Sequence, residues 1–342
     1  MARKEKRARR SASEEDSPKP SLWAKWADFV KLSHTVFALP FAIAATVLAA
    51  RAAHGEQAGV TTLKLGWPGW QLAGLILLAM ITARTCAMAF NRIVDRKFDA
   101  ANPRTKNRHL PAGKISLGSA WSLCLLSGAL FVGAAYGIDW VRAGDHSQLT
   151  CLILSPVALV FILGYSLTKR FTDFTHVFLG IALGLAPLGA WLAVHGSLNF
   201  GGPIKFSAAV PVLLSVIVVL WLIGFDIIYA IQDFEFDRDH KLHSIVVRWG
   251  PDNALNASLF VHFAMLALLV AFGLVAAFKL AYWIGLLIIS VCVIVEHWIA
   301  RRRGLDWVQK AFFNLNAIIS IVFMIMVITE VSLVPRFVQY RM

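Results

Sequence analysis

Nine apolar runs, each about 20 residues long, dominate the sequence. They lie near 30–51, 70–92, 117–137, 149–167, 174–195, 208–231, 255–278, 281–299 and 310–332. A helix of that length crosses a hydrocarbon core about 30 Å thick, and within lipid only helices and closed barrels satisfy every backbone N–H and C=O. The 342 residues are 58% hydrophobic and 15% charged, against roughly 25% charged in soluble domains. A soluble enzyme is thereby excluded. The sequence predicts an all-α, multi-pass membrane protein with nine transmembrane helices in a single domain over residues 21–335. The tail at 1–20, with SASEEDSPKP, reads as disordered, and 336–342 form a short C-terminal tail.

Positive charge sets the orientation. With the first tail in the cytoplasm, 25 Lys and Arg fall on the inner side and seven on the outer, while Arg84 lies within a span. That asymmetry predicts a cytoplasmic N-terminus and an external C-terminus, read as those of a protein of the bacterial inner membrane. The first apolar run lacks a small-residue cleavage pattern and is expected to stay as an anchor. The net charge of +13 is accounted for by basic loops against anionic headgroups. Membrane lipid is thus an expected partner; nucleic acid is not, because ARKEKRARR has no interleaved aromatics. Cys86, Cys124, Cys151 and Cys292 are scattered, and no H-x-x-x-H pair occurs. Neither a disulfide framework nor a transition-metal site is expected.

Two aspartate pairs are conspicuous in this setting. Asp95 and Asp99 in NRIVDRKFD, and Asp233 and Asp237 in DFEFD, each follow a long apolar run. Residues i and i+4 share a helix face, so each pair is expected to converge on one cation. Oxygen ligands without imidazole or thiolate suit Mg²⁺. Asp95 and Asp233 are 138 residues apart, a spacing that points to an internal repeat with the pairs facing each other. Bases are interleaved with the acids. Asn91, Asp95 and Asp99 are followed by Arg104, Lys106 and Arg108; Asp233 and Asp237 are followed by Arg238 and Lys241; Lys169 and Arg170 lie between, on the same side. A bare cation site has no use for these bases. A Mg²⁺-bridged diphosphate uses both kinds of group, carboxylates for the metal and Lys or Arg for phosphate oxygens.

NRIVDRKFDAANPRTKNRHLPAGKIS and YAIQDFEFDRD, with YSLTKRFT between them, resemble the signature segments of the UbiA superfamily of intramembrane prenyltransferases. The run through R-T-x-x-R-x-L-P-x-G is close to the 4-hydroxybenzoate polyprenyltransferase branch. The resemblance extends over roughly residues 25–332. It implies a nine-helix bundle around a central lipid-accessible cavity, Mg²⁺-dependent binding of a polyprenyl diphosphate, and prenyl transfer to an aromatic acid. It also implies roles for residues. Asn91, Asp95 and Asp99 would hold one Mg²⁺, Asp233 and Asp237 a second, and Arg104, Lys169 and Arg170 the diphosphate, with Arg108 and Lys241 as further substrate-binding bases. Many members carry Asp directly after the Asn, where this chain has Arg92. The implied acceptor is 4-hydroxybenzoate, for ubiquinone-type synthesis. The alternatives are a bicyclic carboxylate of menaquinone synthesis and, from a different class, a cation or lipid carrier.

Further candidates lie deeper in the spans. Arg84, Asn91 and Asp95 fall within about 20° of one helical stripe, which turns Arg84 toward the cavity and an acceptor carboxylate or a phosphate; the competing expectation is an ion pair inside the bundle. Asp226 precedes Asp233 by seven residues on the same face. It is expected either to position the acceptor hydroxyl or Tyr229, or to pair within its own helix. Lys31 and His34 occupy the first-helix region where relatives place acceptor-binding bases. Glu296 and His297, beside Arg301, Arg302 and Arg303, read as a solvated helix end.

Overall fold

The computed structural model describes residues 21–31, 35–54, 66–145, 147–302 and 305–332. His34 and both tails lie outside them. Among the described residues the chain is helical, with no strand. The long helices are α1 Thr35–His54, α2 Trp70–Val94, α3 Leu117–Ala143, α4 Thr150–Gly164, α5 Thr175–His195, α6 Ala209–Ala230, α7 Pro251–Val275, α8 Leu280–Arg302 and α9 Leu305–Ser332. Eight described helices are long and apolar enough to cross a membrane, whereas α1 contributes a shorter apolar stretch, Ala38–Ala53. The expected span near 30–51 starts late because Leu22–Phe29 is a separate helix, capped at Val30, after which Lys31 turns the chain at φ +50°.

Other span ends move for identifiable reasons. α3 continues through Ala143 because Asp139, fully buried, is neutralised where it stands. Its carboxylate accepts from Arg142 Nη2 at 2.8 Å and from the Cys151 and Leu152 amides at 3.2 and 2.8 Å, so it also caps the start of α4. α7 starts at Pro251, whose fixed φ suits a first helical turn.

Helices adjacent in sequence pack together from α2 through to α9, and α1 lies against both α9 and α5. The largest apolar core, containing Trp221, Phe272, Tyr282 and Phe323, joins α6, α7, α8 and α9. Along one side of α6 runs a buried polar ladder. Trp221 Nε1 donates to Asn316 Oδ1 (2.9 Å) and Asn316 Nδ2 to Glu296 Oε1 (3.0 Å). His262 Nε2 donates to the Trp221 carbonyl (3.1 Å), leaving its Nδ1 to accept from His297 Nε2 (2.9 Å). Glu296 and His297 are therefore not a solvated helix end; they are buried at 1% and 4% exposure. Polar groups in such a place must find partners, and here those partners tie four helices together. Proximity in sequence to the arginines gave the wrong expectation, because these two side chains face inward.

α5 and α6 approach each other to backbone contact. A Cβ on Gly180 would lie 2.9 Å from the Val219 carbonyl oxygen, and one on Gly184 would lie 3.1 Å from that of Ser215. Small residues four apart let membrane helices approach to backbone contact, where packing supplies the association energy. Gly180→Ala is expected to cost about 1–3 kcal/mol through overpacking. Gly133→Ala, where a Cβ meets nothing within 4 Å, is expected to leave stability unchanged or raised. Thermal denaturation of both variants in detergent checks the difference.

Candidate active site

Each aspartate motif straddles a helix junction. α2 stops at Val94, and Asp95 (φ −88°, ψ 1°) leads into a short helix, Arg96–Ala101. After α6, a tight turn at Ile231–Asp233 leads into Phe234–Asp239, with Asp233 at φ −104°, ψ 5°. The first aspartate of each motif thus occupies the sparsely populated bridge region common at active sites, and the second sits in the short helix that follows. The pairs do not share one uninterrupted helix face as the i, i+4 spacing alone suggests. Asp99 and Asp237 are buried; Asp95 and Asp233 are partly open.

Local sequence explains how the loops are aimed. Pro103 forbids helical geometry at Asn102, which adopts φ −81°, ψ 120° and ends the short helix. Its side chain then donates from Nδ2 to Asp233 Oδ1 (3.1 Å) and accepts from the Arg104 amide (2.9 Å). Beyond α4 the chain tightens into a 3₁₀ turn, Tyr165–Arg170, pinned to α5 by a 2.6 Å contact between the Thr168 and Thr175 hydroxyls. The His243 amide donates to the Lys169 carbonyl (2.7 Å), fixing the loop after the second motif to the same turn.

The four carboxylates find four different bases. Arg170 Nη2 lies 3.4 Å from Asp95 Oδ1 and donates to the Val94 carbonyl at 2.7 Å, satisfying a group that the end of α2 leaves free. Arg108 Nη1 donates to Asp99 Oδ1 (2.6 Å), and Lys169 Nζ to Asp237 Oδ2 (3.0 Å). Arg104 grips Asp233 with both Nε (2.9 Å) and Nη2, and its Nη1 donates to the Tyr229 hydroxyl (3.1 Å). Asn91 Nδ2 donates to Asp95 Oδ2 (2.9 Å) and reaches Ser166 Oγ at 3.5 Å. Three chain segments, about 70 to 140 residues apart, therefore meet at one end of the bundle.

Burial, reinforced by the neighbouring Asp99 charge, pushes the Asp95 carboxyl up to about 6 against the pull of Arg170 and Lys169. Burial works against the Arg104 charge, but the Asp233 and Tyr229 partners more than offset it and raise its affinity for the proton.

The remaining sequence candidates separate clearly. Arg84 makes no ion pair among the described residues, and its Nε is buried without a hydrogen-bond partner. Asp226 pairs with His176 of α5, at 2.6 Å, rather than within its own helix. Arg92 is buried within electrostatic reach of Asp99 and Arg108. Lys241 is exposed in a left-handed turn (φ +54°) with no side-chain bond to the carboxylates. Lys31 pairs with Asp28 at 2.7 Å. Sequence reasoning missed Asn102, Ser166 and His176. The first two lie inside the quoted motifs, and their amide and hydroxyl groups were the available signal; His176, in an apolar run, offered none.

No three acidic, His or Cys side chains among the described residues converge closely enough to hold a metal as they stand. The donor set nevertheless fits a hard divalent ion. It is all oxygen, and Asp99 Oδ2 is buried with no partner.

The sequence matches the UbiA prenyltransferase family over residues 57–318. The chain belongs to that family. This UbiA prenyltransferase is an integral membrane enzyme. It is 28% identical to a 4-hydroxybenzoate octaprenyltransferase of Tolumonas auensis over 258 residues, covering 75% of this chain and 84% of the relative. With the corresponding enzyme of Pseudoalteromonas atlantica it shares 29% identity, covering 73% and 81%. Its structure is similar to the apo structure of a UbiA homolog from Aeropyrum pernix K1, with TM-score 0.71 and 31% identity over 87% of this chain and 98% of that one. The fold is also similar to that of a UbiA homolog from Archaeoglobus fulgidus bound to GPP and Mg²⁺, with TM-score 0.64 and 19% identity over 90% and 100%.

In the metal-free UbiA prenyltransferase the Arg104 and Asp233 side chains should be energetically coupled. A double-mutant cycle with Arg104→Gln and Asp233→Asn, read by thermal denaturation in detergent, is expected to give a coupling of about 1.5–3 kcal/mol. Additive effects would show that the pair is geometric only.

Proposed function

We propose that this UbiA prenyltransferase transfers a polyprenyl group from polyprenyl diphosphate to the ring of 4-hydroxybenzoate, with Mg²⁺, for ubiquinone-type quinone synthesis. The observation that carries this reading is the one-to-one matching of Asp95, Asp99, Asp233 and Asp237 with Arg170, Arg108, Arg104 and Lys169. A site built only for cations would leave the carboxylates free. A site that binds Mg²⁺ and diphosphate together needs every one of these eight groups. The names of the octaprenyltransferase relatives and the GPP and Mg²⁺ bound by the Archaeoglobus homolog support the same assignment. Asn91, Asp95 and Asp99 would hold one ion, and Asp233 and Asp237 a second. Bound Mg²⁺ supplies charge neutralisation for the departing diphosphate.

The protein's own groups then have definite work. Arg104, Arg108, Lys169 and Arg170 exchange their carboxylate partners for phosphate oxygens and stabilise the charge that develops as the allylic C–O bond opens. Tyr229, held by Arg104, stands at the border between these bases and the bundle interior, where Phe225 stacks on it with centroids 6.4 Å apart. Apolar helix faces below keep water from the allylic cation. Arg84 lies on α2 two turns deeper than Asn91, and its unsatisfied Nε gives it a carboxylate-binding role toward the aromatic acid. Asp226 and Tyr229 complete the acceptor side. The reactive end faces the cytoplasm of a bacterial cell, a placement supported by the 25 to seven distribution of Lys and Arg.

Purified protein in detergent, given Mg²⁺, a polyprenyl diphosphate and a panel of aromatic acids, should release diphosphate and form prenylated 4-hydroxybenzoate, detected by mass. Product from a bicyclic carboxylate instead would move the enzyme to menaquinone synthesis. In the same assay Asp95→Ala and Asp233→Ala should lower turnover by roughly a hundredfold or more, and Arg84→Leu should raise the acceptor KM roughly tenfold. Retained activity in either aspartate variant would refute the metal assignment.

A further inference from the structure

We infer that His176 is a positioning residue for the acceptor: it fixes the Asp226 carboxylate from behind so that the free oxygen receives the hydroxyl of the aromatic acid. This rests on the prenyl-transfer reading above and assigns a new part to it. His176 is completely buried, whereas the Asp226 side chain keeps 20% exposure. His176 Nδ1 donates to Asp226 Oδ2 at 2.6 Å. Its Nε2 is buried and has no hydrogen-bond partner. Asp226 thus keeps one engaged oxygen and one, Oδ1, to which no hydrogen bond is made among the described residues. An acceptor oxygen presented this way selects a hydroxyl donor.

Two features fix the distance. Gly180 and Gly184 follow His176 on the same face of α5, at successive spacings of four, and bring that face to the backbone of α6. One residue before His176, Thr175 bonds to Thr168 of the turn that carries Lys169 and Arg170. The strut that sets the diphosphate bases therefore also sets the acceptor carboxylate.

The test uses steady-state kinetics of the Mg²⁺-loaded enzyme with 4-hydroxybenzoate and a polyprenyl diphosphate, and benzoate as an inhibitor lacking the hydroxyl. H176F is expected to raise the acceptor KM roughly tenfold, with the prenyl diphosphate KM and the benzoate inhibition constant within about twofold of wild type. H176N, whose amide can stand in for Nδ1–H, should recover most of the loss, and H176F should add nothing to D226N. A parallel rise in both KM values, no recovery in H176N, or an additive double mutant would overturn the inference. Should H176F fail to fold, H176N against H176Q reads the same contrast, because the longer amide does not reproduce the Nδ1 position. Failure of the wild type to prenylate any aromatic hydroxy acid would remove the underlying reading and this inference with it. Wild-type transfer without the KM split would remove the inference alone.

Discussion

Four carboxylates gathered at one end of a membrane bundle cannot remain there without counter-charge, and the rest of the structure follows from that constraint. Desolvated charges near one another repel strongly when the local dielectric is low. The chain answers with Arg170, Arg108, Arg104 and Lys169, one to each carboxylate. Breaking a buried pair costs far more than exchanging its partner, so the site is stable and still open to replacement by ions of matching charge. Mg²⁺ on the carboxylates and diphosphate on the bases are such replacements. Under the proposed function, the pairs that join these segments in the structure are the groups that the reaction would use.

Those pairs also account for the architecture. Asp95 and Asp233 break their helices at junctions, which frees short segments to turn across the bundle end. Asn102 and Arg104, carried by the first segment, reach Asp233 of the second, and Lys169 from between them reaches Asp237. Behind this layer the glycine seam between α5 and α6 brings the two helices to backbone contact, and His176 of the same α5 face meets Asp226. The α6 to α9 ladder of Trp221, Asn316, Glu296, His262 and His297 lies away from these pairs and ties the second half of the bundle together.

Much of this was legible in the sequence, in proportion to how local the cause is. Apolar runs of spanning length located the helices, and D-x-x-x-D with interleaved bases located the side chains that the structure brings together as ion pairs, because each is written in neighbouring residues. Span ends were less legible. The reach of α3 depends on Asp139 being paired with Arg142 and bonded by α4 amides, and the late start of α1 on a turn at Lys31. Partner choice was illegible. Nothing near Asp226 names His176, fifty residues earlier, and the arginines next to Glu296 suggested water where Asn316 of another helix supplies the partner. The helix breaks at Asp95 and Asp233 have no Gly or Pro beside them in the sequence, and at the first of them Arg170 takes the Val94 carbonyl.

The central claim is partner exchange, and reciprocity of binding tests it most directly. Carboxylates already held by bases should bind Mg²⁺ weakly, and bases already held by carboxylates should bind diphosphate weakly, whereas each ligand should free the groups that the other needs. Calorimetric titration of the purified protein with a non-reactive polyprenyl diphosphate analogue, with and without saturating Mg²⁺, measures that coupling. The account predicts that Mg²⁺ tightens the analogue by roughly tenfold or more, and that the analogue tightens Mg²⁺ by the same factor. Equal affinities with and without the metal would contradict it.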